Sequence, residues 1–264
     1  MAIEGPTYVL ITGIRTARSS TALDALQTSP FAKSVVTFKP DVTSADSTST
    51  LLHDVETLLS KEGGHLAFLV NNAGMGYSML ALHLDDDRIT QVFETNTFAV
   101  MRICRTFAPL MSTSGHGGTI VPYVFGSAYN ASKAALHAYS DTLRLELAPF
   151  GVAVAVVVAC TGGVRSNISA KPRCIPATES LYPKAVRDAF AGHRYSQAGG
   201  VSPERYAESL VKKLLRRGGR GPRSRWIWEG GKAGTVWLLD TFFPRTVMDA
   251  IFSRMYGLSK MERL

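Results

Sequence analysis

The chain contains no apolar run near the roughly 18 residues that a membrane-crossing helix needs, so no helical span is expected. Its cysteines, Cys104, Cys160 and Cys174, are odd in number and match no metal-ligand spacing. That excludes a disulfide scaffold and points to a reducing, intracellular setting. No basic residues precede the apolar stretch of MAIEGPTYVLITG, which is read as the entry to a strand and not as a secretory leader. Repeats and low-complexity tracts are absent, which excludes solenoids. No nucleic-acid-binding module is present either.

Acid is missing from one stretch in particular. Lys212, Lys213, Arg216, Arg217, Arg220, Arg223 and Arg225 fall within fourteen residues that hold no Asp or Glu, against a net charge of +8 for all 264 residues. Two readings follow. The stretch is the solvated end of a helix with a Gly/Arg loop, or it meets an anionic partner, a phosphate-bearing substrate or a membrane surface.

Short apolar runs lie at Tyr8–Thr12, Leu66–Val70, Thr119–Val121 and Val152–Val158. Runs apolar on both faces belong to parallel sheets covered by helices. Helical spacing covers Asp86–Met111, with Pro109 near its end, and Ala128–Pro149, with Gly151 as a stop. Pro203–Arg217 reads as a further helix. Alternation of strand and helix predicts one doubly wound α/β domain over residues 1–264. Ligands of such sheets sit at the carboxyl ends of the strands, where Gly13, Asn72 and Gly162 fall.

Tyr129 and Lys133 are four apart on a predicted helix and share a face. An ammonium beside a phenol favours the phenolate. A tyrosine tuned this way can exchange a proton with a substrate oxygen near neutral pH. By itself the pair is common and fits any amphipathic helix. Here it stands in an ordered set: Asn71-Asn72-Ala73-Gly74 after a strand, Asn96 in the next helix, Tyr129-Asn-Ala-Ser-Lys133, and Thr161-Gly-Gly-Val164 after the last strand. This set resembles the short-chain dehydrogenase/reductase family over nearly the whole chain. Thr161-Gly-Gly-Val-Arg-Ser166 is most similar to its 1-acyldihydroxyacetone-phosphate reductase-like branch.

The resemblance implies a Rossmann-like sheet, NADP as cofactor and a role for each matched residue. Tyr129 exchanges the proton at the carbonyl or carbinol oxygen. Lys133 holds the nicotinamide ribose and lowers the tyrosine pKa. Asn96 holds a relay water. Asn72 lines the adenosine–ribose side and Asp41 meets the adenine. Val164 and Ser166 contact the carboxamide region, and Arg105 sits beside the cofactor. Gly13 and Ile14 stand where the phosphate loop begins.

The family pattern breaks twice. A serine normally follows the central strand, about a dozen residues before the tyrosine, and stabilises charge on the substrate oxygen. Here Val121 runs directly into Pro122-Tyr123-Val124-Phe125. Ser127 reads as a helix N-cap, and Ser114 and His116 precede the strand. The second break follows Gly13. One alignment lays Ile14–Ser19 on the glycine loop with both later glycines lost. The other takes Thr16-Ala17-Arg18-Ser19 as the end of a second strand, which makes Arg18 the cation for a 2′-phosphate. In that alignment the first crossover helix is missing, and two residues cannot connect adjacent parallel strands. A mis-spliced or mis-predicted transcript, or a decayed paralogue, accounts for both breaks.

Residues about 165–201 correspond to a substrate lid and about 218–264 to a C-terminal extension. The extension carries Trp226, Trp228, Trp237, Phe242 and Phe243 and is read as a terminal helix, packed on the body or a partner subunit, or apposed to a membrane or a lipophilic substrate. The expected function is NADP(H)-dependent reduction of a ketone, or oxidation of a secondary alcohol, on a lipophilic small molecule such as an acyl-lipid or secondary-metabolite intermediate. The alternative is an impaired, reductase-like binding or membrane-peripheral protein. Expected partners are the small-molecule substrate, a membrane surface through the C-terminus and a second copy of the chain, with no nucleic acid and no metal. The expected location is cytoplasmic, or peripheral on an endomembrane or lipid surface.

Overall fold

The computed structural model describes residues 6–12, 36–77, 79, 83–113, 118–121, 127–159, 164–165, 184, 200–216, 226–244, 246–247, 249 and 253. Four strands form one parallel sheet in chain order: β1 (Thr7–Thr12), β2 (His65–Asn71), β3 (Gly118–Val121) and β4 (Val152–Val154). Thr12 pairs with Asn71 and Val70 with Val121, so three strands end at one edge. Two more strands, β5 (Val156–Ala159) and β6 (Trp226–Glu229), form a second parallel pair.

Parallel neighbours need crossovers, and helices supply them. Between β1 and β2 runs α1 (Ala45–Glu62). Ser44 caps it by accepting from the Ser47 amide at 3.2 Å, and Asp46 and Lys61 suit its two dipole ends. Its inward stripe is Thr48, Leu51, Val55 and Leu59, at helical spacing. Gly63 ends it at φ 63°, a left-handed position that costs glycine little. Gly64 is required for space: a Cβ there would stand 2.5 Å from the Tyr8 ring and 2.6 Å from the Pro6 carbonyl.

The link from β2 to β3 is α2 (Asp86–Phe93), a π-helical turn (Glu94–Phe98) and α3 (Ala99–Thr113). The link from β3 to β4 is α4 (Ser127–Leu147) and a 3-10 turn (Ala148–Phe150). Then α5 (Pro203–Arg216) joins β5 to β6, and α6 (Ala233–Phe242) follows β6.

One face of the main sheet carries the core. Leu51, Val55 and Leu59 of α1, Ile103, Phe107 and Met111 of α3, and Leu136 and Leu143 of α4 close over Leu66, Leu69, Val152 and Val154. Tyr8 and Leu10 join them from β1. On the other face a small cluster of Ala155, Val157 and Ile227 is covered by Tyr206, Leu210 and Leu214 of α5. The doubly wound expectation therefore holds, but the second face is unevenly covered. Val9 and Ile11 alternate outward from β1 and remain 53% and 63% exposed.

Three expectations need correction. The Val152–Val158 run is two strands broken at Ala155, because Val154 serves the main sheet while Val156 pairs with Trp226. Trp226–Glu229 is a strand and not the start of a terminal helix. Asp86–Met111 is interrupted by the π-helical turn. The expectations for Gly13, Ile14, Arg18 and Ser166, for Ser114 and His116, and for most of the lid fall outside the described residues.

Candidate active site

The carboxyl ends of β1 and β2 are fastened by one hydroxyl. Thr12 Oγ1 donates to the Val70 carbonyl at 3.4 Å and accepts from the amides of Asn72 (3.2 Å) and Ala73 (3.4 Å). This turns the chain into Gly74 and Met75 and leaves Asn72 exposed at the strand edge.

Asn96 lies in the π-helical turn, fully buried. There the Ala99 amide reaches back to the Glu94 carbonyl, five residues away. Such single π turns insert a residue and recur at functional sites. Asn96 Oδ1 accepts from the Met75 amide at 2.9 Å, and Nδ2 donates to the Met75 carbonyl (3.0 Å) and Ser132 Oγ (3.2 Å). Ser132 Oγ in turn donates to the Tyr129 carbonyl at 2.8 Å, and Thr97 Oγ1 donates to the Ser132 carbonyl at 2.8 Å. The π turn is thereby stitched to the first turns of α4. Sequence reading missed Thr12, Thr97 and Ser132. Ser132 stood inside the quoted Tyr-Asn-Ala-Ser-Lys motif, and that position was its one available signal.

Tyr129 and Lys133 are both buried, Lys133 at 2% exposure. The ammonium lies 5.7 Å from the centre of the Tyr129 ring, within cation–π range. No carboxylate or carbonyl among the described residues pairs with it. Burial alone pushes the Lys133 pKa from 10.5 down to about 7. A Cβ placed on Gly74 would stand 3.5 Å from Asn96 Oδ1 and 4.0 Å from Lys133 Nζ, so the β2 edge, Asn96 and Lys133 converge on one point. A buried amine with no acceptor among the described residues fits a cofactor that brings hydroxyls.

Asp41 is exposed, and Oδ1 accepts from the Thr43 amide (2.9 Å) and hydroxyl (2.6 Å). Those hydrogen bonds hold its carboxyl below the usual carboxylate range, with a smaller contribution from Arg102. Arg102 also ties this loop to the π turn, donating to the Val42 carbonyl at 2.9 Å and to Glu94 at 2.8 Å. Val164 forms a parallel bridge with Val201.

Arg105 does not join this constellation. The core face of α3, with Val100, Ile103, Phe107 and Met111, turns Arg105 outward. There it lines a groove of about 750 Å³ between α3 and α4, with Phe98, Met101, Tyr139, Leu143 and Phe150. None of Asn72, Asn96, Tyr129 or Lys133 lines that groove.

A further link runs along α4. His137, one turn beyond Lys133, meets Trp226 of β6 edge-on at 4.6 Å, and Trp226 Nε1 donates to Asp141 at 3.3 Å. Among the described residues no metal-binding cluster occurs.

The short chain dehydrogenase family model matches residues 1–173. A short-chain dehydrogenase of Neurospora crassa is 36% identical over 233 residues, covering 85% of this chain and 77% of its own. The NADPH-dependent 1-acyldihydroxyacetone phosphate reductase of Schizosaccharomyces pombe is 34% identical over 232 residues, covering 78% of this chain and 75% of its own. Among solved structures, a short-chain dehydrogenase from Streptomyces avermitilis matches with a TM-score of 0.64 at 23% identity, over 97% of this chain and 89% of its own.

Proposed function

Because the chain belongs to the short-chain dehydrogenase/reductase family, we propose that it is an NADP(H)-dependent oxidoreductase acting on the ketone or secondary alcohol of a lipophilic small molecule. The observation that carries this reading is the buried Lys133 side chain, with no acceptor among the described residues, beside the Tyr129 ring and Asn96. The preference for NADP is drawn from the NADPH-dependent relative at 34% identity.

When bound, the nicotinamide supplies or takes the hydride. Lys133 would bind ribose hydroxyls, which would serve as acceptors for its amine. Tyr129 would hold and move the proton at the substrate oxygen. Asn96 keeps the π turn locked to Met75 and Ser132 and would hold a relay water. Asp41 and Asn72 would meet the adenosine half. Val164 would border the nicotinamide, together with Ser166.

The missing serine sets the expected rate. Ser132 cannot replace it, since its hydroxyl is committed to Asn96 and the Tyr129 carbonyl. Losing one donor to a developing oxyanion costs on the order of 2.7–4 kcal/mol of barrier, a factor of roughly 10²–10³ in kcat. That deficit favours a second reading, a reductase-like protein that binds cofactor with little turnover.

One experiment separates the two. NADPH consumption is followed with 1-acyldihydroxyacetone phosphate and with a panel of long-chain and cyclic ketones, for the wild type and Tyr129→Phe. Slow turnover abolished by Tyr129→Phe supports the reductase. Saturable NADPH binding without turnover supports the binding protein. Absence of NADPH binding overturns both.

A further inference from the structure

Helix α6 has the wrong surface for a helix standing in water. Its sequence AGTVWLLDTF holds one ionisable residue, Asp240. Val236 and Leu239 are half-buried, and the helix packs against β6. Large apolar side chains are nevertheless exposed: Trp237 is 42% exposed, Leu238 46% and Phe242 66%, with Phe243 close behind at 49%, interspersed with exposed Thr235, Asp240 and Thr241. Exposed large apolar side chains grouped in this way mark a protein or membrane contact. At ten residues α6 is too short to span a bilayer, and no described helix is long and apolar enough to do so. Lying in the interface plane is the membrane arrangement open to a helix this short, with tryptophan and phenylalanine suited to the headgroup level.

Charge is placed to match. Lys213, in the last turn of α5, forms an ion pair with Glu229 at 2.6 Å and donates to the Trp228 carbonyl at 3.1 Å. The end of α5 therefore lies beside the end of β6, three residues before Lys232 and the start of α6. Lys212 and Lys232 are exposed, Lys232 immediately before α6, and the sequence between α5 and β6 contains Arg217, Arg220, Arg223 and Arg225. The acids of this region are Glu229, neutralised by Lys213, and Asp240 and Asp249.

We propose that α6 docks this protein on an anionic bilayer surface, seating Trp237, Leu238 and Phe242 among the headgroups while the neighbouring cations meet lipid phosphates and carboxylates. Juxtamembrane cations and buried aromatics act together in such contacts. The proposal does not rest on the oxidoreductase reading, since its test needs neither cofactor nor turnover.

The test is co-sedimentation of the full chain with vesicles of phosphatidylcholine alone and of phosphatidylcholine with about one-third phosphatidylserine. Wild type is expected to partition at least tenfold more strongly to the anionic vesicles, less so in high salt. Trp237→Ala/Phe242→Ala removes exposed side chains, so its melting temperature should stay close to wild type while vesicle binding falls about tenfold or more. Lys212→Glu/Lys232→Glu should lose the preference for anionic vesicles. Equal recovery of wild type in both supernatants overturns the proposal. So does an aromatic double variant that sediments like wild type. A wild type that ignores vesicles but changes from dimer to monomer on the aromatic substitutions would make α6 a contact between copies, and would also overturn it.

Discussion

Replacing Lys133 with methionine should stabilise the fold while disabling the site. The side chain is 2% exposed and its pKa falls from 10.5 to about 7 through burial. The sign follows from proton binding. Between pH 7 and 10.5 the unfolded chain holds a proton on Lys133 that the folded chain has largely released, so stability rises with pH across that window. Each unit is worth about 1.36 kcal/mol at full effect. From pH 7 to 8.5 the gain is on the order of 1–2 kcal/mol. A domain of this size then melts roughly 3–7 °C higher at pH 8.5. Other shifted groups act elsewhere: burial raises the Cys104 thiol to about 12 and lowers His137 below its ordinary value. Lys133→Met keeps the length and removes the charge. Calorimetry at pH 7 and 8.5 should find the variant more stable than wild type by a few kcal/mol at pH 7, with most of the pH slope gone. NADPH binding and turnover should both fall. A variant less stable than wild type at pH 7, with the slope retained, would refute the reasoning.

The other predictions concern the supports of the site. Asn96→Ala removes three hydrogen bonds, two of them to the Met75 backbone, and should cost about 2–3 kcal/mol by denaturant unfolding. Ser132→Ala should cost about 1 kcal/mol and lower kcat more than it raises KM, because it loosens Asn96 against Tyr129. Thr12→Val strips the acceptor from two amides and should weaken NADPH binding with a stability loss of roughly 1–2 kcal/mol. Gly64→Ala places a methyl against the Tyr8 ring and Pro6 carbonyl and should destabilise the β1–β2 start by more than about 1 kcal/mol, read as a lower melting temperature with unchanged KM.

What could be read in the sequence was whatever depends on local spacing. Tyr129 and Lys133 share a helix face, and the strand ends at Thr12 and Asn71 follow from apolar runs that stop at polar residues. Features set by distant partners could not be read. Ala155 breaks a continuous run of valines because β4 and β5 answer to different neighbours, Gly118–Ile120 on one side and Trp226–Glu229 on the other. Strand β6 is four residues long, and its alternation of exposed Trp226 with buried Ile227 gains meaning only beside β5. Thr95, Asn96 and Thr97 are all buried, but nothing in their order announces a π turn. That turn is held by Met75 and Ser132, residues more than twenty positions away. Helix α1 had a readable stripe in Thr48, Leu51, Val55 and Leu59 that its Ser/Thr-rich opening obscured. Arg105 was placed by analogy; it lines the groove between α3 and α4, which none of Asn72, Asn96, Tyr129 and Lys133 lines.

The most direct test of the account is an NADPH titration of the purified chain, read by cofactor fluorescence, beside Lys133→Met and Tyr129→Phe. The account predicts saturable binding by wild type, weakened about tenfold or more in Lys133→Met, corresponding to at least about 1.4 kcal/mol, and left nearly unchanged in Tyr129→Phe, which would bind without turning over. Failure of wild type to saturate at millimolar NADPH, or equal affinity in Lys133→Met, would contradict the claim that Tyr129, Lys133 and Asn96 form a working cofactor site.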